Sequence, residues 1–547
     1  MRSAKWGLVV VLWAAAAAQP APATASNEVC ASCHEQEAQL KKSRHAGVAC
    51  ASCHLKHEEY PHPEKKEKPA CAQCHAREVE HYTRGVHSQE AKKDNAAAPG
   101  CATCHGDVHE TVATRTAEAR KAIPGSCGMC HDKELTEFQT SVHGKAVDAN
   151  IPDAPVCTDC HGDHQILRPK NPLSSVFPTA VAETCAGCHG DLKLTQRFGL
   201  KSYTVASFQD SFHGMAAQAG QQTVASCASC HGYHHILPST DRQSSIHPTN
   251  IARTCGACHP GAGERFAIGS VHSVDPKSQP LPVQWATLFY QLAIPGTIGL
   301  MLLHHGGDYI RKLAHLRFRR QALEASAHRW KPRPAEVRMD QWERVQHALL
   351  AVSFFVLVWT GFALRYPDEW WSRPALAWEK TWPVRGTIHR AAAAVMVAAS
   401  LLHVVLLIVD QKLRRRWKGF LPVWQDFREA LYGMQWALGL RRTQPFRSAH
   451  SYIEKAEYWA VVWGTAVMSI TGVFLWANNW TLHYLPKWWI DFSRTIHFYE
   501  ALLAFLSILV WHFYMVIFDP DIYPMDPAWL TGRSPRPRPP DSDPHHD

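Results

Sequence analysis

Cys157-Thr158-Asp159-Cys160-His161-Gly162-Asp163-His164 recurs seventy residues later as Cys227-Ala228-Ser229-Cys230-His231-Gly232-Tyr233-His234. In each copy two thiols stand three positions apart, an imidazole follows the second, and another imidazole comes three residues on. Cys-x-x-Cys-His suits a c-type haem, because the two thiols can form thioethers to its vinyl groups while the adjacent histidine reaches the iron from the proximal side. The spelling occurs nine times: Cys30/Cys33/His34, Cys50/Cys53/His54, Cys71/Cys74/His75, Cys101/Cys104/His105, Cys127/Cys130/His131, Cys157/Cys160/His161, Cys185/Cys188/His189, Cys227/Cys230/His231 and Cys255/Cys258/His259. Those motifs use all 18 cysteines, leaving no thiol for a disulfide or a nucleophile. Paired Cys-x-x-Cys is also a zinc signature. A histidine behind every second cysteine, without exception, favours nine haem c over zinc.

A second set of histidines lies between the motifs. His45, His87, His143, His213 and His272 each follow a motif at a distance in a Ser/Gly-x-His setting, whereas His57, His109, His164 and His234 follow the next motif closely. The duplicated stretch makes His234, rather than His235, the counterpart of His164, and leaves His247 opposite Phe177. A lone surface histidine is usually a solvated side chain. Nine of them for nine proximal imidazoles instead predict six-coordinate, bis-histidine irons that pass electrons and offer no open site to a substrate. Which distal histidine serves which iron is not legible, since cap and motif can come from neighbouring units.

Residues 1–25 carry Arg2 and Lys5, an apolar run over 6–18 and the small-residue pattern Ala23-Thr24-Ala25, which reads as a cleaved secretory signal. Residues 26–280 then form an expected periplasmic nonahaem domain with about 28 residues per haem, too few for an ordinary hydrophobic core. The porphyrins themselves are expected to be the core, wrapped by loops and short helices.

Past residue 280 the chain becomes strongly apolar. Runs over 282–303, 345–364, 387–409, 458–476 and 495–518 are each long enough to cross a hydrocarbon layer of about 30 Å. The loops at 304–343 and 410–455 are rich in Lys and Arg; the opposite loops hold few, with Trp370, Trp371, Trp488 and Trp489 among interfacial aromatics. That asymmetry puts the basic loops in the cytoplasm, opposite the haem-rich region. Much of the formal charge of +9 thus faces anionic lipid, and nothing calls for nucleic acid. The expected fold is all-α: a loop-rich multihaem region, a tethering span with its basic loop over 281–343, a membrane bundle over 344–520 with a four-helix dihaem core, and a cytoplasmic tail over 521–547.

Histidines within a membrane bundle are costly unless they serve a cofactor or a proton path. On helices, His389 to His403 rises roughly 21 Å and His497 to His512 roughly 22 Å, which predicts two haem layers. His389 and His497 share the periplasmic level and can hold one haem b. His347, His403 and His512 compete for two places at the cytoplasmic level.

The stretches Glu343-Arg344-Val345-Gln346-His347 with Thr360-Gly361, Ile388-His389-Arg390, Thr471-Gly472, and Ile496-His497 to His512-Phe513-Tyr514 resemble the dihaem cytochrome b subunits of nickel-iron hydrogenases and formate dehydrogenases. The resemblance implies two haem b, held by His347 with His512 and by His389 with His497. Fusion to nine c-type motifs resembles the CbcL-type inner-membrane cytochromes of metal-reducing bacteria. The first span exceeds the usual subunit, and His403 exceeds the ligand set, leaving it a candidate for a quinone or proton role. The implied activity is menaquinol oxidation in a bacterial inner membrane, with electrons leaving through the c haems to periplasmic c-type cytochromes in anaerobic or extracellular respiration. The alternatives are reverse flow that reduces menaquinone, or a periplasmic reductase of nitrite, hydroxylamine or a sulfur oxyanion.

Overall fold

The computed structural model describes residues 26–55, 69–114, 116–200, 203–261, 272, 279–324, 336–377, 379, 384–442 and 450–534. Residues 1–25, read above as a secretory signal, His57 and the end of the tail lie outside them. The chain forms two compact units, one of residues 1–177 with 234–236 and one of residues 178–233 with 237–547. The last three Cys-x-x-Cys-His motifs therefore share a unit with the apolar helices.

The first unit consists of short helices, the longest being the twelve residues Ala117–Gly128. Its buried apolar side chains, among the described residues, are Leu40, Val147, Ala154, Val156 and Phe177. Motif helices such as Cys101–His105 and Cys157–His161 stop at once because Gly106 and Gly162 take φ of 73° and 80°, a region that favours glycine. The Ser-x-His setting has a physical reason too. Ser141 Oγ accepts from the Gly144 amide at 3.1 Å, capping the helix that carries His143. A Cβ on Gly144 would sit 2.1 Å from the Phe138 carbonyl oxygen, so the chain can turn there only with glycine.

One backbone hydrogen bond recurs along the first unit. Arg44 N–H donates to Thr111 O at 2.9 Å, Val86 N–H to Ile166 O at 2.8 Å and Val142 N–H to Ile236 O at 2.9 Å. Each donor precedes His45, His87 or His143 by one residue, and each acceptor follows His109, His164 or His234 by two. The two kinds of histidine are thereby set side by side from distant parts of the chain.

Among the described residues the second unit has five helices long and apolar enough to cross a membrane: Leu281–Ala314, Gln341–Arg365, Val384–Val409, Tyr452–Trp476 and Trp488–Phe518. The second span packs chiefly on the third, the fourth on the fifth, and the first on the fifth. Asp340 and Glu343 cap the second span reciprocally, each carboxylate accepting from the other's amide at 3.0 and 2.9 Å. The first helix does not stop at residue 303. It continues to Glu324, so Arg311 and Lys312 lie on a helix rather than in the expected loop. One reason is local, since 304–324 contains no proline and from residue 311 on is mostly Arg, Lys, Leu and Ala, which are good helix formers. The fifth span ends in two π-helical turns, Ile508–His512 and Tyr514–Phe518. A two-residue antiparallel ladder pairs Glu336 with Ser534 and Val337 with Arg533, tying the approach to the second span to the segment after the fifth.

Candidate functional site

None of the eighteen thiols is in a disulfide. Cys33, Cys53, Cys74, Cys101, Cys104, Cys130, Cys188 and Cys258 are exposed, and the remaining ten are only partly covered. Seven of those eight are the second cysteine of a motif, so the protein's own side chains do not enclose the outer thiols of Cys33, Cys74, Cys130 and Cys188. The physical reason is the shortage of chain: about 28 residues per motif supply too few apolar side chains to wrap each pair of thiols. A thiol open on one side is also what covalent attachment of a large planar group needs, whereas a structural zinc set is closed over by its four ligands.

Imidazoles face each other in twos throughout the described chain. Ring centres are 6.1 Å apart in His45–His75, 6.0 Å in His54–His109, 6.5 Å in His87–His131, 6.0 Å in His105–His164, 6.1 Å in His161–His234, 6.1 Å in His213–His259 and 6.2 Å in His231–His272. With a metal–nitrogen distance of about 2 Å, two imidazoles on opposite sides of one iron have centres roughly 6 Å apart, so these pairs fit a haem iron between them. Among the described residues no three His, Cys, Asp or Glu side chains converge as a metal-ion cluster. The geometry is one of facing pairs, not of tetrahedral zinc sets.

Each pair joins one motif histidine to one inter-motif histidine, and the order is regular. His45, His87 and His213 face the motif two places downstream of the one they follow, whereas His109, His164 and His234 face the motif two places upstream. His272 follows the ninth motif, has no eleventh to face, and turns back to His231 of the eighth. His34, His143 and His189 all make contacts; His143 stands in the capped helix Val142–Asp148 and His189 ends Val181–His189. His247 caps the helix Pro248–Gly256 through its side chain, while His235 is exposed. Burial first, then the facing imidazole, holds His87, His161, His213 and His231 below the ordinary imidazole value. They are therefore neutral at pH 7, the form that donates a lone pair to a metal.

Two more pairs lie in the apolar bundle. His389 and His497 are 6.4 Å apart at the end where the first span begins, and His347 and His512 are 6.3 Å apart toward the other end. Thr360 Oγ1 donates to Val356 O at 2.6 Å and so accepts from His389 Nδ1–H at 2.8 Å; Thr471 Oγ1 donates to Val467 O at 2.7 Å and accepts from His497 Nδ1–H at 2.9 Å. Each threonine fixes the tautomer that leaves Nε2 unprotonated. Gly361 and Gly472 lie directly against the two rings, where an added Cβ would come within 3.4 Å of His389 and 3.5 Å of His497. Both Thr-Gly pairs thus seat a histidine of the neighbouring span. The sequence held these dipeptides in view, but not their role.

His403 faces neither His347 nor His512. Its Nδ1 lies 3.2 Å from Gln346 Oε1, its Nε2 3.4 Å from the Tyr458 hydroxyl, and its ring 4.7 Å from that of Trp417. Trp417 Nε1–H donates in turn to Glu343 at 2.9 Å, and Glu343 also pairs with Arg416.

The first span is more than a tether, because it buries polar groups against its neighbours. Tyr290 donates to Glu500 at 2.7 Å, one turn beyond His497. Nearer its other end, His304 lies 2.6 Å from the Tyr452 hydroxyl, His305 packs against Trp511 and Tyr514, and Lys312 lies 3.0 Å from Asp308 and 2.7 Å from Asp519. Sequence reasoning missed this set by ending the span at residue 303. The His304-His305 doublet and the i,i+4 spacing of Asp308 and Lys312 were the available signals.

Within the same unit, residues 203–233 and 237–261 are fastened to the bundle. Asp210 accepts from Arg365 at 2.6 Å through its carboxylate and from Arg494 at 2.7 Å through its carbonyl. Gln221 donates to buried Glu379 at 2.6 Å; Glu379 accepts from the Arg385 amide at 3.1 Å; and the Arg385 guanidinium reaches Thr360 O at 3.0 Å. His259 Nδ1 lies 2.9 Å from Asn479 Oδ1, and His483 Nδ1 lies 3.1 Å from Gly261 O.

Residues 338–524 match the family model of prokaryotic cytochrome b561. The cytochrome b556 subunit of formate dehydrogenase from Haemophilus influenzae is 24% identical over 191 residues, covering 35% of this chain and 74% of that protein. No solved structure matches the chain. Together with the five apolar helices, these likenesses support an integral membrane protein with a haem b electron-transfer domain over 338–524.

Proposed function

We propose that the chain is a menaquinol:cytochrome c oxidoreductase of a bacterial inner membrane, carrying two haem b and nine haem c and delivering electrons to periplasmic c-type cytochromes. The observation that carries this reading is the pair of imidazole levels inside a cytochrome b-like bundle, joined in one compact unit to the facing pair His213–His259. Haem, once bound, supplies a one-electron couple at each iron. The nine Cys-x-x-Cys-His motifs hold haem c, with His45, His57, His87, His109, His143, His164, His213, His234 and His272 as the second axial ligands. His347 with His512, and His389 with His497, hold haem b.

Menaquinol gives up two electrons and two protons on becoming menaquinone, so its site needs a proton acceptor near the inner imidazole level. His403 suits that task. It is held between Gln346 and Tyr458, next in sequence to His347 through Gln346, and is not committed to a facing imidazole. The basic helices that follow the third span sit with the lipid headgroups of the cytoplasmic face.

The test is quinol-driven reduction of the purified holoprotein, followed at the c-haem absorption band. A menaquinol analogue should reduce the c haems in the parent. His389→Ala should lose one haem b and abolish quinol-driven reduction while dithionite still reduces the c haems, and His403→Ala should keep both haem b with slower turnover. Failure of the parent to accept electrons from any menaquinol analogue would overturn the reading.

A further inference from the structure

Both imidazoles of the His213–His259 pair are anchored on the bundle. His213 lies in the helix Phe212–Gln218, three residues beyond Asp210, which is held by Arg365 at the end of the second span and by Arg494 in the fifth. His259 is held directly. Its Nδ1 meets the Asn479 amide oxygen at 2.9 Å, and one helical turn on, His483 reaches the Gly261 carbonyl two residues beyond His259. Both come from one face of the short helix Asn478–Tyr484, which joins the fourth span to the fifth.

We infer that Asn479 is a positioning residue that orients His259 and lowers the reduction potential of the haem c borne by Cys255 and Cys258; this rests on the function proposed above. The amide oxygen can only accept, so His259 must carry its proton on Nδ1 and turn Nε2 toward the iron. An acceptor on the far nitrogen of a ligating imidazole makes that ligand more basic. A more basic ligand favours the oxidised, more positive iron. The motif's own neighbours do not supply this contact; it comes from a residue 220 positions away, on the element that connects two membrane spans. Seating of the ninth motif on the bundle and tuning of its haem are therefore one interaction.

Two substitutions separate tuning from simple support. Asn479→Leu removes the acceptor and covers the nitrogen with hydrocarbon. Asn479→Asp replaces a neutral acceptor by a charged, stronger one. The thioethers keep haem c in both variants, so pyridine haemochrome content should equal the parent's. In a spectroelectrochemical titration of the full-length holoprotein, with electron paramagnetic resonance at each poise, one c haem should move to higher potential in Asn479→Leu and to lower potential in Asn479→Asp. The expected shift is up to about tenfold in that haem's reduction equilibrium, about 59 mV for one electron. Titrations that match the parent in both variants, or that move in the same direction in both, overturn the inference while leaving the proposed function intact. A parent without haem c overturns the underlying reading and this inference with it.

Discussion

A side chain one shell out from each membrane imidazole decides which of its nitrogens is available. Thr360 and Thr471 spend their own protons on carbonyls of their helices and can then only accept from His389 and His497. Thr360→Val keeps the shape and removes that acceptor. Affinity for the outer haem b is expected to fall about 10- to 100-fold, so that haem b content drops from two toward one after prolonged detergent washing, while Thr360→Ser retains both. Haemochrome analysis after the same wash decides it, and two firmly held haem b in the valine variant would count against the threonine. The facing histidines of the bundle stood out in the sequence because an imidazole in an apolar run is conspicuous. The threonines did not, because a hydroxyl bonded to its own helix also occurs throughout membrane segments that bind nothing. His403 was a different case: spacing alone left three histidines competing at one level, the family resemblance made His403 the surplus one, and the structure packs Trp417 and Tyr458 around it.

Two short helices that begin at Ser-x-His-Gly carry two of the inter-motif histidines, His143 and His213. In Phe212–Gln218, Ser211 Oγ accepts from the Gly214 amide at 3.1 Å, and a Cβ on Gly214 would stand 2.1 Å from the Phe208 carbonyl oxygen. Gly214→Ala must push the helix start away at a cost of roughly 2–3 kcal/mol, carrying His213 with it. The expected result is a high-spin signal of about one haem in the oxidised protein, against none in the parent; an all-low-spin variant would show that the turn has more freedom than its contacts imply. At this scale the five spans were legible from hydropathy, and their ends were not. Hydropathy falls off where Asp308 and Lys312 begin, yet the helix continues, with Lys312 paired inside the protein to Asp308 and Asp519. The pairing of caps with motifs was equally hidden, since it depends on bonds such as Val142 to Ile236, 94 positions apart.

Over the whole molecule, the counts of proximal and distal imidazoles set the chemistry. Haemochrome analysis of the intact protein should give about nine haem c and two haem b per chain, and low-temperature electron paramagnetic resonance should be dominated by low-spin iron. Seven or fewer haem c would overturn the nine-haem array, and an anion-sensitive high-spin haem in the parent would point instead to a reductase with an open iron. The repeated bond from the residue before one kind of histidine to the second residue after the other has a further consequence. Because each junction asks for one amide, one carbonyl and a histidine on either side, a unit of about seventy residues can be copied in tandem and the copy will find both neighbours ready to receive it. The likeness of 157–190 to 227–260 has the seventy-residue offset that such a copy would show. Wiring of this kind can be cut to length: its span is set by how many times one segment is written, without redesign of the ends.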